Sequence, residues 1–154
     1  MATGSYATST GYGSAGAGTG LAVWAPRVLS ILRIMSALLF MQHGTQKFLG
    51  IPNFPQNGPP GAFTLLWFGG LIELIGGALL AIGLFTRPVA FLASGMCAFA
   101  YFLFHAGGGF YPILNRGELA ALYSFVFLYI TFAGPGAWSV DAALRRSGKL
   151  PAWA

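Results

Sequence analysis

Glu73 stands inside an apolar run, Phe63 to Phe85, about ten residues from its start. An unpaired charge at the centre of a membrane helix costs roughly 2.5–3.5 kcal/mol on insertion scales. A carboxylate kept there can hold an ion-pair partner, hold a proton, or accept a proton from a bound molecule. Gly69, Gly70, Gly76 and Gly77 bracket it. Residues three and four apart share a helix face, so these glycines flank Glu73, and Gly69, Gly76 and Gly83 continue a stripe at sevenfold spacing. Glycine lets a neighbouring backbone approach closely. The stripe therefore reads as packing and turns Glu73 into a bundle. A structural ion pair and a functional acid are equally good readings of Glu73 itself.

Arg33, in the first apolar run, is the expected partner. At 1.5 Å per residue it lies roughly 7 Å from Glu73 in depth, within reach of an arginine; the competing reading is that it snorkels to the surface. His43 lies about five residues inside the other end of the same run, roughly 8 Å above Glu73. His43 and Lys47 are four apart, as are Tyr101 and His105, so each pair shares a face. Gln42, Gln46, Lys47, Trp67, Tyr101, His105, Arg116, Glu118 and Tyr123 then gather titratable and hydrogen-bonding groups at one level. Plainer readings compete: Lys47 and Arg116 as interfacial anchors, Trp67, Tyr101 and Tyr123 as an aromatic belt, Glu118 as a dipole partner, His105 as solvated. Cys97 reads as an inert core residue.

The elements that position these residues follow from composition. The 154 residues allow one domain. Charged residues make up 7%, against about 25% in an average soluble domain. Hydrophobic residues make up 56%, and the mean hydropathy is +0.69. A disordered chain is excluded by 14 Phe, 4 Trp and 6 Tyr, which need burial. An integral, all-α membrane protein remains. The net charge of +5 comes from scattered basic residues, which fits membrane orientation better than nucleic acid. One cysteine forms no internal disulfide, CxxC pair or Cys-based zinc site.

Residues 1–24 form a Gly/Ala/Ser/Thr-rich leader expected to be disordered. No basic segment precedes the first apolar run, so that run reads as a retained span. Spans are expected at about 27–48, 63–85, 88–106 and 118–134. Pro26 can start the first helix. Four prolines break the segment LGIPNFPQNGPPGA. Thr86 can cap the third helix and Pro88 begin it. In the tail, residues 138–154, Ser139 can cap a short helix with Asp141 in its first turn and Arg145 and Arg146 in its last. With Trp138 and Trp153 at the interface, that helix is expected to lie on the bilayer surface. Four spans place both termini on one side. Arg27, Arg33, Arg87, Arg145, Arg146 and Lys149 fall there, against Lys47 and Arg116, a six-to-two count that makes both termini cytoplasmic.

Four segments, HGTQKFLG, GLIELIGGALLAIGLFTRP, NRGELAALY and GPGAWSVD, resemble the DoxX family in order and spacing over Arg27 to Asp141. The resemblance implies a small four-helix protein of the bacterial inner membrane. The family name comes from a quinone-linked sulfur oxidoreductase, and relatives are linked to thiol-stress complexes or to membrane-protein assembly. Fold carries over better than activity. The motifs carry over the polar positions Arg33, His43, Lys47, Glu73, Arg87, Glu118 and Asp141.

Two functions are expected from this. The first is a membrane subunit of a quinone-linked oxidoreductase system. A quinone needs an apolar slot, aromatic walls, a donor at each carbonyl and proton carriers. His43, Gln46, Lys47, Trp67, Tyr101, His105 and Glu118 are candidates, with Glu73 as a deeper proton acceptor. The sequence carries no nucleotide motif, Cys pair or iron–sulfur pattern, so electrons would come from a partner subunit. The second is a non-enzymatic scaffold or assembly factor for a partner membrane protein, using the glycine-striped helix and the tail. Haem held by His43 and His105 is disfavoured, because their depths need not match.

Overall fold

The computed structural model describes residues 20–150. The expectations for residues 1–19 of the leader and for Trp153 lie outside the described residues. The elements are α1 (Ala25–Leu49), α2 (Leu65–Ile82), α3 (Thr86–Gly108), a single turn α4 (Pro112–Asn115), α5 (Glu118–Ala133) and α6 (Val140–Arg146). No strand occurs among the described residues. α1, α2 and α3 are long and apolar enough to cross a membrane, whereas α5 is apolar but only 16 residues long.

Each helix end has a local cause. Pro26 occupies the first turn of α1, where its missing N–H forfeits nothing. Gly50 and Gly83 close α1 and α2 in the left-handed region, at φ 64° and 72°. The Thr64 hydroxyl accepts from Trp67 N at 3.3 Å to cap α2. Thr86 does not cap α3. It is the first residue of that helix, and the carboxylate of Asp141 accepts from Phe85 N at 2.9 Å and Thr86 N at 2.8 Å.

Packing divides the bundle into two helix pairs, α1 with α2 and α3 with α5. They join at Phe40, which is buried edge-on against Tyr123 and Phe127, ring centroids 5.8 and 4.9 Å away. Ala37, Ala90 and Ala93, each fully buried, let the backbones close around that cluster. The α1–α2 seam is tightest at Gly44, where a Cβ would sit 2.5 Å from Leu74 N, and at Gly77, where it would sit 2.7 Å from Met41 Cβ.

The expected glycine stripe therefore splits. Gly70 and Gly77 face α1, and Gly83 ends the helix. Gly69 and Gly76 face α3 with room to spare: their added Cβ atoms would lie 3.9 Å from Met96 Sδ and 3.5 Å from Val89 Cγ1.

The tail has the expected short helix, with Ser139 accepting from Ala142 N at 3.0 Å. It is also packed into the bundle. Asp141 and Ala142 are buried, Ala137 N donates to Pro26 O at 3.0 Å, and Trp138 N donates to Ser30 Oγ at 3.0 Å. The tail thus closes one end of the bundle. Helix ends leave unpaired N–H or C=O groups and a partial charge, and that end matches each with the opposite sign. α2 and α5 finish there, and arginines take their carbonyls: Arg33 those of Leu80 and Ala81, Arg87 those of Thr131 and Phe132. α3 begins there, and Asp141 takes its N–H groups.

Candidate functional site: a lateral groove with an ion pair at depth

Glu73 is 9% exposed and pairs with Lys47, whose Nζ lies 2.7 Å from Oε1 and 2.5 Å from Oε2. Lys47 sits in the last turn of α1, and its side chain turns inward to meet the carboxylate. Gly70 allows this, since a Cβ there would lie 3.1 Å from Lys47 Cδ and 2.8 Å from the Phe48 ring. Around Glu73 the helix winds as a π turn, Ile72–Gly76, and α3 has a second one at Tyr101–His105. Such turns are inserted single residues that recur at functional sites, and they rotate the side chains that follow.

The expected Arg33–Glu73 contact is not present. Arg33 is fully buried and spends its fork on carbonyls: Nε to Pro135 O at 2.8 Å, Nη1 to Ala81 O at 2.9 Å and to Leu80 O, and Nη2 to Trp138 O at 2.5 Å. The physical reason is competition. The terminal carbonyls of α2 lie at the depth of Arg33 and need donors, while the lysine has a glycine-lined path to the acid. Lys47 is accordingly a pair partner and not a surface anchor.

A cavity of about 650 Å³ lies over this pair, between α1, α2 and the outer face of α3. Its polar members are His43, Lys47, Glu73 and His105. Gly69, Ile72, Gly95 and Met96 line its length, and Phe68, Phe91, Phe99 and Phe104 form its walls. Those four rings are 49–65% exposed, so the cavity is a groove open sideways along the α2–α3 seam. The two helices touch mainly through Ile72–Ile82, next to their connection, and the seam is open beyond it.

Of the expected site residues, His43, Lys47, Glu73, His105 and Gly69 share this groove; Gln46, Trp67, Tyr101 and Glu118 do not line it. Trp67 packs edge-on against Phe48 and Phe68 and tilted against Phe63. Tyr101 accepts from Asn115 Nδ2 at 3.4 Å, and Asn115 Oδ1 accepts from Gly117 N at 2.8 Å, so Tyr101 serves the turn into α5. His105 Nδ1 donates to Asn115 O at 3.2 Å, which fixes the ring at the groove end. Glu118 lies in the first turn of α5. Phe91, Met96 and Gly95 were not singled out by sequence, because aromatic and small residues in an apolar helix carry no polar signal. Among the described residues no group of His, Cys, Asp and Glu is placed to hold a metal ion.

A helical bundle of this hydropathy, with an ion pair held among apolar helices, is a multi-pass membrane protein. The DoxX family profile matches residues 28–106. An uncharacterized protein of Haemophilus influenzae is 47% identical over 121 residues, covering 75% of this chain and 90% of its own length. An uncharacterized membrane protein of Mycobacterium tuberculosis, Rv3486, is 30% identical over 138 residues, covering 79% of this chain and 83% of its own. Inner membrane protein YqjF of Escherichia coli is 31% identical over 122 residues, covering 75% and 91%. No solved structure matches significantly. The chain belongs to the DoxX family.

Proposed function

We propose that this protein is a membrane subunit of a quinone-linked oxidoreductase system and binds a membrane quinone in the lateral groove, with the quinone head at the Lys47–Glu73 pair. The observation that carries this reading is the juxtaposition of an aromatic, sideways-open groove with an ion pair and a histidine at its deep end. Ligand sites combine apolar walls with a few placed polar groups. Lys47 has three N–H donors, two of them on Glu73, which leaves one for a carbonyl oxygen. Glu73 can accept from a hydroxyl, and His43 in the same groove can take up or release a proton. A bound quinone supplies two-electron, two-proton chemistry; the chain's own residues hold the head, exclude water and handle protons. Electrons come from a partner subunit.

The test is to purify the protein in mild detergent and quantify extracted lipids. Near-stoichiometric quinone is expected from the parent, and loss of most of it from Lys47→Met/Glu73→Gln. A stoichiometric protein partner with no quinone would replace this reading with a scaffold or assembly role.

The same reading places four spans in the bacterial inner membrane with both termini cytoplasmic, α5 being the short fourth span. Arg33 and Arg87 cap carbonyls and Lys47 pairs with Glu73. With those set aside, Arg27, Arg145, Arg146 and Lys149 lie at one end against Arg116 at the other, and the bias keeps its sign. Reporter fusions after Gly61 and after Ala154 should report opposite sides; equal signals would overturn this topology.

A further inference from the structure

Gly95 is a helix-interior glycine whose missing side chain has no packing neighbour: beyond its own helical turn, no atom lies within 4 Å of the position its Cβ would take. Gly69, on the facing helix, has only Met96 Sδ near, at 3.9 Å. Glycine inside a helix is disfavoured relative to alanine, so it needs a cause. At Gly44, Gly70 and Gly77 the cause is a neighbour that a Cβ would strike. At Gly69 and Gly95 there is no such neighbour, and both line the groove.

Their position relative to the ion pair is fixed by register. Gly69 faces Met96 and Gly76 faces Val89, so Glu73 lies between these levels, one turn deeper than Gly69. On α3 the groove residues Phe91, Gly95 and Phe99 recur every fourth position, and the lining continues to Phe104 and His105. By helical rise that is roughly 20 Å of groove, open sideways and walled by exposed aromatic rings. A molecule with its head at Glu73 and a tail along this groove passes over Gly69 and Gly95, where no side chain fills the space.

We infer that Gly69 and Gly95 form the floor on which the prenyl chain of the bound quinone lies, that the molecule enters sideways from the bilayer, and that the site selects long-chain over chainless quinones. This rests on the quinone reading above and adds the part of the molecule that gives selectivity. Burying each further methylene favours binding, so a chain lying along Gly95, Phe99 and Phe104 outweighs the head in affinity.

The test uses the full chain in phosphatidylcholine nanodiscs, titrated with a long-chain prenyl quinone or with the same head group lacking a chain. Tryptophan quenching is read against mole fraction in the lipid. The parent should bind the long-chain form at least about tenfold more tightly. Gly95→Leu and Gly95→Val fill open space, so their melting should match the parent. Each should weaken long-chain binding about tenfold and leave the chainless head unchanged. If one variant does not accumulate, the other carries the test. A parent indifferent to chain length, or variants that bind the long chain like the parent, would overturn the chain site while leaving the head site standing. Failure of either quinone to bind the parent would overturn the quinone reading and this inference together.

Discussion

Arg33→Met should leave almost no folded protein after detergent extraction, and Arg33→Lys should not rescue it. Arg33 is fully buried and donates to the carbonyls of Leu80, Ala81, Pro135 and Trp138. These come from the end of α2 and from the segment before α6, so one guanidinium fastens the tail to the bundle. A buried carbonyl left without a donor costs about 1–3 kcal/mol, and several together approach the whole stability of a small domain, about 5–15 kcal/mol. A lysine offers its protons from one nitrogen and does not span a planar fork. Gly83, where a Cβ would sit 2.9 Å from Arg33 Cζ, leaves no slack for a rearranged side chain. Size-exclusion profile and melting temperature read the outcome. A Met variant that elutes and melts like the parent would contradict this role.

Lys47 and Glu73 should behave as a coupled pair. Lys47→Met strands a buried carboxylate, a loss of the order of 3–5 kcal/mol when one partner of a buried pair is removed. Glu73→Gln should be the milder single change, since its amide can still accept from the ammonium. Lys47→Met/Glu73→Gln should be more stable than Lys47→Met alone, with a coupling of about 1–3 kcal/mol. Unfolding of the four proteins in one detergent measures it. Strict additivity would mean that the two side chains do not meet in the folded bundle.

Much of this architecture can be read from sequence where one residue type has one physical use. A lone carboxylate in an apolar run must turn inward, and Glu73 does. Ser139, Asp141, Arg145 and Arg146 announce a capped helix, and it forms. The misreadings arise where the deciding groups have no sequence signature. Backbone carbonyls at the end of α2 carry no residue code, so their claim on Arg33 is invisible until the chain is folded. The carboxylate of Asp141 reaches Phe85 and Thr86 across more than fifty residues, which local capping rules do not anticipate.

Glycines are ambiguous for a related reason. Gly69 and Gly70 are adjacent, yet the first faces open space near Met96 and the second admits the Lys47 stem. One residue of rotation separates the two uses: Gly69 and Gly76 keep to the α3 face and Gly70 and Gly77 to the α1 face, while Gly83 leaves the stripe by ending the helix. Gly44, the closest contact of α1 with α2, lies outside that stripe altogether.

A quinone head at the Lys47–Glu73 end of the groove would be captured in place by photolabelling. A prenyl quinone with an azide on the head ring would be irradiated with the intact protein in nanodiscs, and the modified peptides mapped by mass spectrometry. Labels should concentrate between His43 and Phe48 and between Gly69 and Gly76, be competed by unlabelled long-chain quinone and fall in Lys47→Met/Glu73→Gln. Labels confined to the exposed face of α5, at Phe125 and Phe132, or to the end closed by Trp138, with the groove peptides unmodified, would contradict it.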